Sequence, residues 1–243
     1  MCLRLVLPTA CRFRHKVEVL RKSPDKTKQF SFRCEKLCGS MKLLDLSQWT
    51  GSLWVFGYGS LVWKPDFVYQ RRKVGYIKGY KRRFWHGDDF YRGDKHNPGR
   101  VVTLVEDHEA CTWGMAYEVS QAQKNEAFQY LNMREVEFGG YATEIVEFIP
   151  QEKSEDTTHA LVYIATSDCP AYLGPAPDEE IANQIAFCKG KTGHNIEYLL
   201  RLAQFMRHCC PGVDDEHLFS IEAAVLNICC NSGTQNSFLT GSF

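Results

Sequence analysis

The chain has 243 residues, 44% hydrophobic and 13% aromatic, which is enough for one sizeable core and too apolar for a disordered protein. Its formal net charge of +0 conceals an asymmetry: residues 1–42 carry eleven Lys or Arg against Glu18, Asp25 and Glu35, leaving 18 basic and 26 acidic residues in the remainder, a net of −8. So acidic a remainder argues against binding to a nucleic-acid backbone, and no run approaches the roughly 18 consecutive apolar residues of a membrane span.

Residues 1–50 read as a basic, disordered leader without the continuous apolar stretch of a signal peptide. A nucleic-acid or membrane-surface arm and a mitochondrial presequence are the alternatives, and the leader's acids and scattered Pro, Ser and Cys weigh against them. Met41, followed by Lys-Leu-Leu-Asp-Leu, could serve as an internal start. The eleven cysteines include no Cys-x-x-Cys pair to begin a metal site, and the doublets Cys209-Cys210 and Cys229-Cys230 fall in helical segments where neighbours diverge by about 100°. Reduced thiols in the cytosol, with no metal and no disulfide framework, are the expectation.

The first strand is Leu53 to Phe56, which breaks into Gly57-Tyr58-Gly59-Ser60 before apolar character resumes at Leu61, Val62 and Trp63. Glycines at 57 and 59 allow positive φ and a bare backbone, so successive N–H groups could form a nest for an anion such as a carboxylate; a plain tight turn is the alternative. Further strands are expected at 53–57, 74–80, 100–106, 112–118, 141–149 and 159–166, with the polar Glu106 to Glu109 turning 100–118 into a hairpin. Ser120 and Gln123 resemble a capping box for a helix whose stripe is Ala127, Phe128 and Leu131 and which runs toward Arg134 and Glu135. Near the C-terminus, Ile196, Leu199, Leu200, Ala203 and Met206, then Leu218, Ile221, Val225 and Ile228, keep the spacing of core-facing helices. Strands clustered before helices give an α+β class, a curved sheet or mixed β-barrel flanked by helices.

Glu135 stands at a helix end before Gly139-Gly140, where loops commonly present catalytic groups. Surface pairing with Arg134 or Arg100 is the competing reading. The segments FGYGSLVW (56–63), RRFWHGD (82–88), PGRVVTLVED (98–107), CTWGMAY (111–117), YLNMRE (130–135) with GGY (139–141), YLGPAP (172–177), GHNIEYLLRLAQFMR (193–207) and DDEHL (214–218) together resemble the ChaC family of glutathione-specific γ-glutamylcyclotransferases. The resemblance runs from about residue 53 to 230 and is greater to the type 1 branch, whose longer spacing between the Glu and Gly-Gly matches Val136-Glu137-Phe138.

That resemblance implies a γ-glutamylcyclotransferase-like catalytic domain over 51–231, followed by a flexible tail at 232–243. It implies glutathione as substrate, cleaved to 5-oxoproline and Cys-Gly without cofactor or metal. Val55, Phe56, Gly57, Tyr58, Gly59, Ser60 and Leu61 would line the γ-glutamyl pocket, with the N–H groups around Gly59, Ser60 and Leu61 receiving the α-carboxylate. Glu135 would be the general acid and base, walled by Tyr141 and Phe138; Glu137 and Glu144 are its neighbours in sequence. Arg82, Arg83, Arg92 and Arg100 are available for the glycine carboxylate, and none is singled out. Two other readings stay open: a related enzyme acting on different γ-glutamyl amides or dipeptides, and a non-catalytic adaptor that binds a protein partner through the fold or the leader.

Overall fold

A computed structural model describes residues 51–137 and 140–231, with side chains except at 136 and 137. The expectations for the leader, Met41, Phe138 and the C-terminal tail lie outside the described residues. β1 (Leu53–Gly57), β2 (Arg71–Asp88), β3 (Gly99–Val119), β4 (Ala142–Pro150) and β5 (Thr158–Ile164) close into a barrel in the order β1-β3-β2-β4-β5. All pairings are antiparallel except the closing one, where Trp54 and Val55 of β1 face Ala160 and Leu161 of β5 in parallel. The α+β expectation therefore holds, and the sheet is a closed barrel.

Every residue of β1 is buried, because both of its faces are covered. Trp54 and Phe56 join the larger core with Ile77, Phe84, Phe148 and the C-terminal helices, while Leu53 and Val55 join a second cluster beneath α1 (Lys124–Leu131). A strand covered on both faces reads as a continuous apolar run, and Leu-Trp-Val-Phe is one. α2 (Asp178–Phe187), α3 (Asn195–Cys209) and α4 (Glu216–Asn231) pack on one another and on the larger core. The stripes expected for the last two helices are the faces that they bury, although Leu200 and Ile228 stay partly exposed. A short two-stranded turn, β6 (Lys189–Gly190) with β7 (Gly193–His194), precedes α3.

One expectation is overturned. Residues 100–118 do not form a hairpin; they lie in the single strand β3, and the hairpin is β2 with β3. Lys78 faces Cys111 and Tyr80 faces Glu106, so Gly79 alone spans residues 107–110 in a wide bulge. The local turn signal is real, since Asp107 Oδ1 accepts the Glu109 N–H at 3.2 Å. The chain does not reverse there because both halves of β3 find their partner in β2, and the Lys81–Asp107 ion pair at 2.9 Å ties the bulge to that partner.

Candidate active site

β1 ends at Gly57, and the chain turns through Tyr58 and Gly59 into a single 3₁₀ turn, Ser60–Val62. Neither Gly57 nor Gly59 uses positive φ, contrary to the reason given for them in the sequence. They are needed for close approach: a Cβ at 57 would stand 2.5 Å from Leu61 Cβ, and one at 59 would stand 2.6 Å from the Tyr198 hydroxyl and 2.8 Å from Val102 Cγ2. The 3₁₀ turn begins with Val62 N–H donating to Gly59 O at 3.0 Å. Upstream of it, the N–H groups of Gly59, Ser60 and Leu61 meet no acceptor among the described residues. Arg82, buried and paired with Asp215 at 2.8 Å, fixes the loop from behind by donating to Tyr58 O at 2.6 Å.

A small cavity of about 40 Å³ opens against this loop, lined by Phe56 to Leu61 with Val102, Glu135, Tyr141, Tyr163 and Tyr198. Six of the seven loop residues expected at the substrate line it; Val55 instead packs in the cluster beneath α1. A larger cleft of about 280 Å³ adjoins it. Ser60, Glu135, Tyr141 and Tyr198 line both, so they mark the junction.

Glu135 reaches the junction because α1 widens into a π-helical turn, Asn132–Glu137, immediately after Leu131. Such turns recur at functional sites, and here the widening lets the chain leave the helix while Tyr141 N–H closes back on Glu135 O at 3.0 Å. The expected pairing with Arg134 exists but is not a surface contact: Arg134 Nε lies 3.0 Å from Glu135 Oε1, with both side chains about 15% exposed or less. Proximity is not alignment: the contact makes no hydrogen bond, and Arg134 Nη1 and Nη2 donate instead to Lys64 O (2.8 Å) and Ser60 Oγ. Glu135 Oε1 is therefore buried without a hydrogen bond. Burial pushes the Glu135 carboxyl above its ordinary value, the Arg134 charge pulls it back, and Asp88 pushes it up again.

The other nominated residues divide. Tyr141 is a wall of both cavities, held by its hydroxyl's 3.0 Å bond to Val102 O. Glu144 is bound to Tyr80 Oη at 2.8 Å and lines neither cavity. Arg100 is buried among Gln184, Phe84 O and Gly174 O rather than beside Glu135, and Arg83 lies by a different surface depression. Of the four arginines, only Arg92 lines the cleft, where Glu197 bridges it (2.7 Å) to Arg201 (2.9 Å). The Tyr172–Pro177 loop is a connector pinned to Trp85 O by the Leu173 and Gly174 N–H groups.

Sequence reasoning misses Asp88, Glu197, Tyr198 and Arg201 as cleft residues. Tyr198 and Arg201 are visible there only as members of a helical segment, and nothing local distinguishes the face of α3 that meets the barrel mouth. No group of His, Cys, Asp or Glu suited to a metal ion occurs among the described residues.

The barrel and its flanking helices are those of a γ-glutamylcyclotransferase fold. The crystal structure of a glutathione-specific γ-glutamyl cyclotransferase from yeast superposes with a TM-score of 0.65 at 29% identity, over 73% of this chain and 99% of that one. The sequence matches the family described as ChaC-like protein over residues 53–228. It is 65% identical over 186 residues to the glutathione-specific gamma-glutamylcyclotransferase 1 of Danio rerio, covering 76% of this chain and 95% of that protein. The Homo sapiens protein of the same name is 58% identical over 174 residues, 72% of this chain and 78% of that one. The chain belongs to the ChaC family, in its type 1 branch.

Proposed function

We propose that this chain cleaves glutathione to 5-oxoproline and Cys-Gly, with Glu135 as the general acid and base. The observation that carries the reading is a buried carboxylate oxygen without a hydrogen bond, at the junction of a small pocket and a larger cleft. The small pocket suits a γ-glutamyl group. Its α-carboxylate meets the N–H groups of Gly59, Ser60 and Leu61, its carbon chain lies against Phe56 and Tyr58, and its α-ammonium faces Glu135. Cys-Gly extends into the cleft, where Arg92, Arg201 and Lys64 are cations within reach of the terminal carboxylate.

Reaction begins when Glu135 takes a proton from the α-ammonium and frees the nitrogen to attack the γ-carbonyl. A five-membered lactam closes as the new C–N bond forms and the bond to the cysteine nitrogen breaks. The two protons shed by the ring nitrogen balance the two gained by the departing amine, one of them returned by Glu135. Folding the substrate so that nitrogen and carbonyl meet is the protein's largest contribution, since well-oriented intramolecular reactions gain about 7–11 kcal/mol. With ordinary values, moving a proton from an α-ammonium to a Glu is uphill by roughly 5 kcal/mol. The raised Glu135 carboxyl narrows that gap, and a substrate ammonium buried beside it narrows it further.

The seven described cysteines are free thiols, and no helix of the described residues is long and apolar enough to cross a membrane. The free thiols support the cytosol, where glutathione and thioredoxin keep thiols reduced. The deciding experiment measures 5-oxoproline and Cys-Gly released from reduced glutathione and from γ-glutamyl dipeptides, by wild type and by Glu135→Gln. Preferential turnover of glutathione, with folded Glu135→Gln slower by about 10²–10⁴-fold, supports the reading. Full activity in Glu135→Gln removes that residue from its role.

A further inference from the structure

Five buried tyrosines surround the loop after β1, and four of them spend their hydroxyl protons on the protein. Tyr58 donates to Tyr163 O at 2.6 Å, Tyr117 to Leu61 O at 2.7 Å, Tyr141 to Val102 O at 3.0 Å, and Tyr163 to Asn132 Oδ1 at 3.2 Å. Tyr198 does the reverse. Its hydroxyl accepts the Val102 N–H at 3.3 Å and, among the described residues, donates to no protein acceptor. A buried phenol with one lone pair occupied and its proton unspent is an incomplete hydrogen-bonding group, and such groups call for a partner that arrives later.

The position of that proton is well defined. Tyr198 is 5% exposed, and its ring is held edge-on by Trp63 at 5.2 Å and by Phe84 at 6.2 Å. The hydroxyl stands 2.6 Å from where a Cβ on Gly59 would be, so it faces the substrate loop directly. It lines both the small pocket and the cleft, together with Ser60, Glu135 and Tyr141. On the proposed reading of the site, the γ-glutamyl group fills the pocket and Cys-Gly the cleft, so the scissile carbonyl must sit at this junction. Of the four junction residues, Glu135 faces the α-amine and Tyr141 has already committed its proton. Ser60 Oγ accepts from Arg134 and is the remaining rival.

We propose that Tyr198 is a catalytic residue whose hydroxyl donates a hydrogen bond to the γ-carbonyl oxygen of the substrate. As the α-nitrogen forms its bond to the γ-carbon, the carbonyl π electrons move onto that oxygen. They return when the C=O bond re-forms and the bond to the cysteine nitrogen breaks. A donor fixed before the reaction costs no reorganisation when the charge appears, which is the physical basis of an oxyanion hole. Tyr198 transfers no proton. Burial pushes its hydroxyl well above the ordinary phenol value, with the Val102 N–H opposing and the Glu135 charge adding to the rise, so it stays a neutral donor wherever Glu135 is an ionised base.

The inference rests on the glutathione-cleaving function, and the test separates the two. Initial rates with glutathione are compared for wild type, Tyr198→Phe, Ser60→Ala and a protein carrying 3-fluorotyrosine at position 198, with melting temperatures measured alongside. Removing one oxyanion donor typically costs about 10²–10³ in kcat, and that loss is expected in Tyr198→Phe with KM little changed. The fluorinated residue keeps an O–H donor and should retain near wild-type kcat. A merely structural tyrosine would lower the melting temperature of Tyr198→Phe, by orphaning the Val102 N–H, without this loss of kcat in the folded fraction. Unchanged kcat in folded Tyr198→Phe overturns the proposal while leaving the function intact. The large loss appearing in Ser60→Ala instead transfers the role to Ser60. A wild type inactive on every γ-glutamyl compound overturns both.

Discussion

Gly59→Ala tests the site's geometry most directly. The added Cβ would meet Tyr198 Oη at 2.6 Å and Val102 Cγ2 at 2.8 Å, against the ordinary carbon contact of about 3.5–4.0 Å. Neither neighbour is the loose end of a flexible chain. Tyr198 is held by two aromatic rings and its bond from Val102, and Val102 is a β-branched residue inside β3. The clash is therefore relieved by moving the loop, and overpacking of this kind costs about 1–3 kcal/mol. For a domain of this size that corresponds to a fall of roughly 2–12 °C in melting temperature. Because the displaced loop carries the N–H groups proposed to hold the substrate, kcat/KM for glutathione should fall more than tenfold. Gly79→Ala is the control: at φ +84° with nothing within 4 Å, it adds only left-handed strain of about 1–2 kcal/mol, so it should lower stability without touching kcat/KM. Differential scanning fluorimetry and initial rates read both. A Gly59→Ala protein with wild-type melting and wild-type kinetics would refute the close packing of Tyr198 on the loop.

Three further outcomes follow from the electrostatics around Glu135. Asp88 raises the Glu135 carboxyl and Arg134 lowers it, so the acid limb of the kcat/KM profile should move to lower pH in Asp88→Asn. The side-chain amide of that variant keeps an oxygen for the Phe90 and Tyr91 N–H groups that Asp88 now binds at 2.9 and 2.6 Å. In Arg134→Met the same limb should move to higher pH; two shifts in the same direction would contradict the assignment of that limb to Glu135. Glu135→Gln should be more stable than wild type near neutral pH. A raised folded-state carboxyl leaves stability intact below its unfolded value and erodes it as pH climbs from there to the folded value; Gln mimics the protonated form throughout. Melting curves of the two proteins should converge at acid pH and separate above it.

How far the sequence reaches is clearest at particular residues. Leu53 to Phe56 is legible as a strand because a run covered on both faces is apolar at every position, and its break at Gly57-Tyr58-Gly59-Ser60 locates the pocket loop. The helical stripes of α3 and α4 are legible because their period is local. Glu106 to Glu109 misleads, since an Asx turn looks the same in sequence whether the chain reverses or merely bulges; only the partner strand β2 decides. Glycines 57 and 59 stand out in sequence for a conformation that they do not adopt, because the atoms that crowd them, Leu61 Cβ, Tyr198 Oη and Val102 Cγ2, come in part from distant positions in the chain.

Sequence alone identified the family, through ordered motifs spread across the chain, and with it the nomination of Glu135. What only the tertiary structure decided is the chemical condition of that residue. Its burial and the nearby Asp88 come from segments far apart in sequence, and although Arg134 is its neighbour in the chain, the acceptors that Arg134 takes, Lys64 O and Ser60 Oγ, are not. The same holds for Tyr198, whose hydroxyl enters the site only because α3 packs against β3 and the 3₁₀ turn. Local spacing records periodicity and turn chemistry; desolvation and unspent hydrogen bonds depend on what the closed barrel brings together, and no short stretch of sequence carries them.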